Sequence, residues 1–263
     1  MAEPTLMPQS GTTTKFNRVP EVTLAFWLIK LMAVTMGETA ADYLAVNMGL
    51  GLTATSLIMA AVLIGALFLQ FSQQKYVPWT YWLAVVLVSI VGTLITDNLV
   101  DNFGVPLTTT TIAFFIALSA TFALWYTSEK TLSIHEIFTF KREAFYWLAI
   151  LLTFALGTAA GDLVAERFGL GYFATGILFG MIIASLAFGY FALKLDSILA
   201  FWLIYIFTRP LGASFGDYLS QPADYGGLGL GTIITSAIFL GAIAVLVGYL
   251  TFMRRKTPGL RPA

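Results

Sequence analysis

Four aspartates lie inside apolar stretches of this sequence, at positions that repeat along the chain. Each aspartate follows a tryptophan by fifteen residues: Trp27 and Asp42, Trp82 and Asp97, Trp147 and Asp162, Trp202 and Asp217. A charged side chain at the centre of a membrane costs on the order of 3 kcal/mol, so such residues usually face the protein interior and mark pathways for ions or protons. We therefore expect all four carboxylates to face inward.

The residue one helical turn before each aspartate adds oxygen to this lining in three of the four copies. These residues are Glu38, Thr93, Thr158 and Ala213, and residues four apart share one face of a helix. Hard cations such as Mg²⁺, Ca²⁺, Mn²⁺ or Na⁺ prefer oxygen ligands. We predict an ion or substrate site with these members: Glu38, Asp42, Asp97, Asp162, Asp217, Thr93 and Thr158.

The five carboxylates of that set are the candidate metal ligands: Glu38, Asp42, Asp97, Asp162 and Asp217. Protons are an equally open choice of cargo or coupling ion, because crowded carboxylates in a low dielectric hold protons. No resident cofactor is expected, although a transported divalent cation would bind the same groups.

Two basic residues, Lys30 and Arg209, also lie within apolar stretches. In a transporter they would act as counter-charges or gates that change partners as the site fills. In the alternative interpretation they pair permanently with the carboxylates and lock the helices together, or an aspartate caps a broken helix by accepting backbone amides. The sequence leaves both interpretations open.

The tryptophans and aspartates belong to a repeat that occurs four times. A glycine follows each tryptophan by ten residues, namely Gly37, Gly92, Gly157 and Gly212, and a small residue follows each glycine by four. Self-similarity at a fixed period indicates a repeat architecture, and small residues four apart let helix backbones approach closely. We predict that one helix from each repeat meets the others around a central axis.

This fourfold pattern of tryptophan, glycine and aspartate resembles a family of bacterial integral membrane proteins of unknown function. Members of that family have four tandem repeats, each with two transmembrane segments and a characteristic tryptophan. The resemblance covers about residues 22–253 and implies an eight-span fold, but it implies no activity.

The composition independently favours a membrane protein, because 58% of the 263 residues are hydrophobic and only 11% are charged. Apolar stretches of about 20 residues are long enough to cross a bilayer core of about 30 Å, and eight of them lacking polar faces could not be buried in a soluble bundle. The predicted spans are residues 22–46, 53–71, 79–101, 107–127, 144–166, 172–193, 198–220 and 231–253. We expect an all-α integral membrane fold of four helical hairpins, pseudo-symmetric about the membrane normal.

The chain divides into two halves with polar ends. We predict a disordered cytoplasmic tail over 1–20, repeats one and two over 21–127, a cytoplasmic linker over 128–143, repeats three and four over 144–253, and a basic cytoplasmic tail over 254–263. Eleven of the fourteen Lys and Arg residues fall on the side that holds both termini, and only Arg167 falls on the other. The positive-inside rule then places both termini in the cytoplasm of a multi-pass protein of the bacterial inner membrane, with the four tryptophans as interfacial anchors.

Several classes of function are disfavoured. There is no cysteine, one histidine and no net charge, which exclude thiolate sites within the chain and give no reason to expect a nucleic-acid partner. No catalytic or cofactor motif is present, so we do not expect an enzyme. The prediction is a transporter or channel for a small cation, and the alternative is a non-transporting scaffold, or a lipid- or organic-anion-binding protein, with structural ion pairs. The expected partners are the lipid bilayer and a small cation, and a homo-oligomer stays open.

Overall fold

The structure is a computed structural model that describes residues 16–256, and these form eight long helices. The bounds are α1 Leu24–Asp42, α2 Leu52–Phe71, α3 Pro78–Asp97, α4 Leu107–Glu129, α5 Phe140–Asp162, α6 Tyr172–Leu193, α7 Ser197–Ser220 and α8 Thr232–Lys256. All eight are long and apolar enough to cross a membrane. The predicted eight spans and the all-helical fold are confirmed, with boundaries within a few residues.

The odd-numbered helices form an inner ring in which α1 contacts α3, α3 contacts α5, α5 contacts α7 and α7 returns to α1. These inner helices are mostly buried, whereas the even-numbered helices expose most of their apolar surface. The contact between α3 and α5 is as extensive as the others, so the two halves of the chain form one continuous ring. The four inner helices, one from each repeat, therefore meet around a central axis, as predicted.

Each outer helix packs on the inner helix of the next repeat. Thus α2 lies on α3, α4 on α5, α6 on α7, and α8 closes the circle by packing on α1. The sequence predicts the hairpins, but it does not predict that each outer helix packs on the inner helix of the next repeat. Hydropathy identifies a membrane span, but it does not indicate which of the four similar inner helices that span contacts.

The repeated glycines make the close contacts of the inner ring. A Cβ atom added at Gly92 of α3 would lie 2.6 Å from Cβ of Phe154 in α5, and one at Gly212 of α7 would lie 2.8 Å from Cβ of Val34 in α1. Gly37 meets Ser89 and Gly157 meets Arg209 in the same way. Each repeated glycine therefore contacts the same repeat position of the next inner helix around the ring, and the four residues at that position are Ser89, Phe154, Arg209 and Val34.

The first three aspartates end the α-helical part of their helices, and a π-helical turn follows each of them. These turns are Tyr43–Asn47, Asn98–Asn102 and Leu163–Arg167. Single π turns inside helices occur often at functional sites. In the fourth repeat α7 continues to Ser220, and a short 3₁₀ turn, Ala223–Tyr225, follows instead. We call this end of the bundle, where the aspartates lie, the acidic end.

The opposite end, which we call the basic end, holds residues 16–20 and the links between hairpins. The amide group of Asn17 donates to the Ile134 carbonyl at 2.9 Å, and the Tyr76 amide donates to the Asn17 carbonyl at 2.9 Å. Part of the segment predicted as a disordered tail is therefore packed against the bundle, while residues 1–15 lie outside the described residues. The predicted linker over 128–143 is shorter, because α4 reaches Glu129 and α5 begins at Phe140. Residues 257–263 of the predicted basic tail also lie outside the described part.

Candidate functional site

Side chains spaced four residues apart on the inner helices form successive layers along the axis, because this spacing keeps them on one helix face. The aspartate layer contains Asp42, Asp97, Asp162 and Asp217. The Glu38 layer contains Glu38, Thr93, Thr158 and Ala213; the Arg209 layer contains Val34, Ser89, Phe154 and Arg209; the Lys30 layer contains Lys30, Val85, Ile150 and Tyr205; and the tyrosine layer contains Phe26, Tyr81, Tyr146 and Phe201. Every side chain in the last four layers is buried.

Arg209 lies on the axis and contacts all three other inner helices. Its Nη1 atom is 2.7 Å from Oε2 of Glu38 in α1, and its Nη2 atom donates to Oγ1 of Thr158 in α5 at 2.7 Å and to Oγ1 of Thr93 in α3. Thr93 in turn donates to Oε2 of Glu38 at 3.1 Å. Since Arg209 is fully buried, its charge is balanced inside the bundle by Glu38.

In this structure the predicted ligands Glu38, Thr93 and Thr158 therefore bind Arg209. A contact between Arg209 and Glu38 is expected both for a permanent ion pair and for a counter-charge that changes partners. The sequence alone could not select Glu38 as the partner, because five carboxylates lie at equivalent or neighbouring positions of the repeat.

Lys30 is held differently. Its Nζ atom donates to the Tyr205 carbonyl oxygen at 2.7 Å and to Oγ1 of Thr208, and it lies 4.1 Å from the centre of the Tyr205 ring. Among the described residues no carboxylate lies within ion-pair distance of Lys30. The expected pairing of Lys30 with Glu38 or an aspartate is therefore not seen, and neutral oxygens and an aromatic face surround the amine instead.

The four aspartates lie at the same end of the inner ring, at equivalent positions of α1, α3, α5 and α7. Asp217 is buried, and the other three are half-buried. Asp97, Asp162 and Asp217 each interact electrostatically with both Glu38 and Asp42, although they come from different helices. The carboxyls are therefore grouped near one another at the acidic end, and we call the region around the four aspartates the acidic vestibule.

The aspartates are neither helix caps nor members of ion pairs in the described part of the chain. Asp42, Asp97 and Asp162 make no side-chain hydrogen bond to the π-helical turns that follow them. Asp42 accepts one long hydrogen bond, 3.4 Å, from the side-chain amide of Gln221. The structural roles proposed for these residues, capping and ion pairing, are thus not seen in the part of the chain that the structure describes.

The vestibule is not a preformed metal centre. No group of three or more Asp, Glu or His side chains within residues 16–256 is arranged to hold a metal ion. The five predicted metal ligands are therefore not positioned to coordinate one ion directly, since the oxygen ligands of Ca²⁺ or Mg²⁺ lie about 2.0–2.6 Å from the ion.

Aromatic side chains close the axis at the basic end. Trp82, Trp147 and Trp202 are nearly fully buried, so the expectation that they anchor the protein at the lipid interface is wrong for these three. Each lies beside the tyrosine layer, and each indole has a partner within the bundle: Trp202 Nε1, for example, donates to the Leu132 carbonyl at 2.9 Å. The hydroxyls of Tyr81 and Tyr146 are 2.5 Å apart in the same region.

Sequence reasoning did not identify Tyr205, Tyr81 or Tyr146 as axial residues, nor Glu143 as a buried charged residue. Counting back from each aspartate in steps of four along the inner helices finds the first three, and Glu143 follows near the start of α5. This four-residue spacing is visible in the sequence, but aromatic residues are common in apolar helices and do not by themselves indicate an axial position.

Eight membrane-compatible helices around a buried polar axis define a multi-pass helical membrane protein. A family model described as "Repeat of Unknown Function (DUF347)" matches the chain four times, at residues 25–76, 80–131, 145–195 and 200–256. The chain belongs to this family, and each match contains one inner and one outer helix. Comparisons with curated proteins and with solved structures gave no match.

Proposed function

We propose that the protein is a transporter or channel for a small cation in the bacterial inner membrane. The observation that carries the proposal is the position of Arg209, which lies two layers below the four aspartates and is paired with Glu38 of the layer between. The acidic vestibule concentrates cations at the mouth of the axis. The buried guanidinium repels them from the interior, as positive groups on a channel axis do.

Passage then requires Arg209 to leave Glu38. A cation or proton that occupies the vestibule weakens this ion pair by competing for the carboxylate, and the aspartates offer Arg209 new partners as it moves. The tyrosine layer and the tryptophans keep the basic end closed while the vestibule fills, so the two ends open in turn. This sequence of events is transport and includes no chemical reaction of the cargo.

The alternative of a scaffold that binds a lipid headgroup or organic anion through Lys30 and Arg209 has less support. Both side chains are fully buried, and the hydrogen bonds that they donate go to oxygens of the protein, although Nε of Arg209 has no hydrogen-bond partner among the described residues. An anion would have to displace Glu38, Thr93 and Thr158 from Arg209 before it could bind.

Neutralising one vestibule aspartate tests the proposal. We expect Asp97→Asn and Asp162→Asn to reduce cation flux into proteoliposomes by about tenfold or more, because an ionic interaction with the cargo worth about 1.5–3 kcal/mol is lost. Flux of Na⁺, Mn²⁺ and H⁺ would be followed separately with ion-selective dyes. Asp196→Asn is the matched control, since Asp196 caps α7 at the basic end. Equal flux in the parent and in the vestibule variants would contradict the proposal.

The proposed orientation places the acidic end outside the cell. The chain contains no cysteine, so a single introduced cysteine reports its own side of the membrane. We expect a membrane-impermeant maleimide to label Tyr225→Cys in intact spheroplasts and to label His135→Cys only after lysis, because both positions are exposed, at opposite ends. The reverse labelling pattern would invert the topology.

A further inference from the structure

A short segment lies on the basic end of the bundle before α1 begins. It consists of residues 16–20, and we call it the N-terminal strap. The Tyr76 amide donates to the Asn17 carbonyl at 2.9 Å, and the Arg18 amide donates to the Ile137 carbonyl at 3.1 Å. The side-chain oxygen of Asn17 also accepts from the Ile137 amide at 3.2 Å. The strap is therefore bound to the link between α2 and α3 and to the link between α4 and α5.

One ion pair joins the strap to the inner ring. Nη1 of Arg18 is 2.6 Å from Oε2 of Glu143, whose side chain is fully buried in the first turn of α5. The strap continues into α1, and α1 and α5 are not neighbours in the ring, because each of them packs against α3 and α7. The strap therefore connects the basic ends of two inner helices that lie on opposite sides of the axis.

The residues that bind the strap also bind the buried indoles that close the axis. Nε1 of Trp82 donates to the Tyr76 hydroxyl at 3.1 Å, and Nε1 of Trp147 donates to Oε1 of Glu143 at 3.5 Å. The partner of the third indole, Trp202, lies in the link between α4 and α5, to which the strap is also bound. Displacement of the strap therefore removes support from all three rings.

The strap is held by a few polar contacts, whereas the inner helices are held by close packing through their glycines. Arg18 is 16% exposed, and Gln70 donates to its carbonyl only at 3.4 Å, so water can replace these partners. Val19 and Pro20 are buried, so the part of the strap before them is the part that can move. Resting on the proposed transport function, we propose that the strap is the latch of the basic end. The end is closed while Arg18 binds Glu143, and release of the strap lets α1 and α5 separate and the ion leave.

A disulfide that fixes the strap to the link between α2 and α3 tests the latch, because the chain contains no other cysteine. In Asn17→Cys with Tyr76→Cys, the 2.9 Å main-chain hydrogen bond keeps the two Cα atoms within about 6.8 Å, a separation that a disulfide can span. Uptake of Na⁺, Mn²⁺ and H⁺ into proteoliposomes would be followed with ion-selective dyes after oxidation with copper phenanthroline. We expect uptake to fall by about tenfold or more, because a gate that cannot open stops transport. Reduction with dithiothreitol should restore it.

Removal of the ion pair should have the opposite effect. Arg18→Met with Glu143→Met removes both charges, so no buried carboxylate is left without its partner. We expect uptake to rise by about tenfold or more, which is the shift in an opening equilibrium that follows the loss of a hydrogen bond between charged groups. Arg142→Met with Glu136→Met is the matched control, because it removes an ion pair of the same end that does not include the strap. Uptake in this control should match the parent.

The results separate the latch from the transport function. A purely structural strap predicts parental uptake in the oxidised cysteine variant, and that result overturns the inference while the proposed transport function stands. Cysteines that still react with a maleimide after oxidation also overturn it, because the strap is then not seated on the link. Absence of uptake of all three ions, both in the parent and in Arg18→Met with Glu143→Met, overturns the transport function and the inference with it.

Discussion

Replacing Arg209 with methionine is expected to destabilise the protein by about 3–5 kcal/mol, the usual result of leaving one member of a buried ion pair without its partner. Arg209 is fully buried and is 2.7 Å from Glu38, which is itself nearly buried. The variant also removes the hydrogen bonds to Thr93 and Thr158, so contacts with all three neighbouring inner helices are lost together. The measurement is the free energy of unfolding in mixed micelles, followed by tryptophan fluorescence.

Two further variants make this result specific. Arg142→Met removes ion pairs to Glu129 and Glu136 that are partly open to solvent, and we expect a loss of only about 1 kcal/mol because ion pairs in contact with solvent contribute little. The double variant Arg209→Met with Glu38→Met should regain most of the lost stability, because no buried charge is then unpaired. Equal stability of Arg209→Met and Arg142→Met would show that the axial pair is not buried.

The second large effect concerns the repeated glycines. We expect Gly92→Leu to lower stability by about 3 kcal/mol, at the upper end of the range for overpacking a well-packed interior, or to prevent folding. A Cβ atom at this position would lie 2.6 Å from Cβ of Phe154 and 3.2 Å from the backbone nitrogen of Ala155. Backbone cannot move aside as a flexible side chain can, so α3 and α5 would have to separate.

Gly65→Leu is the matched control for this experiment. Gly65 lies in the outer helix α2, and a Cβ atom there would meet nothing within 4 Å. We expect this variant to retain the parental melting temperature and the parental yield in detergent. If Gly92→Leu behaved in the same way, the close approach of α3 and α5 would be wrong, and with it the convergence of the aspartates.

Much of the fold can be predicted from local patterns. The eight spans follow from hydropathy, and the inner helices can be identified because glycine and aspartate recur at fixed distances from each tryptophan. The inward direction of Asp42, Asp97, Asp162 and Asp217 is expected from the cost of turning a carboxylate toward lipid; the glycine contact does not fix it, because a residue five positions later lies about 140° around the helix. Tryptophan was a poorer guide, because a ring suited to the lipid interface is equally suited to a buried aromatic cluster.

The sequence by itself therefore determined the number of helices, which of them are central, and the inward direction of the aspartates. All of these depend on spacing within one helix or one repeat. Only the tertiary structure decided that Arg209 pairs with Glu38, that Lys30 meets a carbonyl and an aromatic ring, and that Arg18 reaches Glu143 across 125 residues of chain. The physical reason is that four nearly equivalent helices offer each charge several partners at similar distances, and packing of the whole ring selects among them.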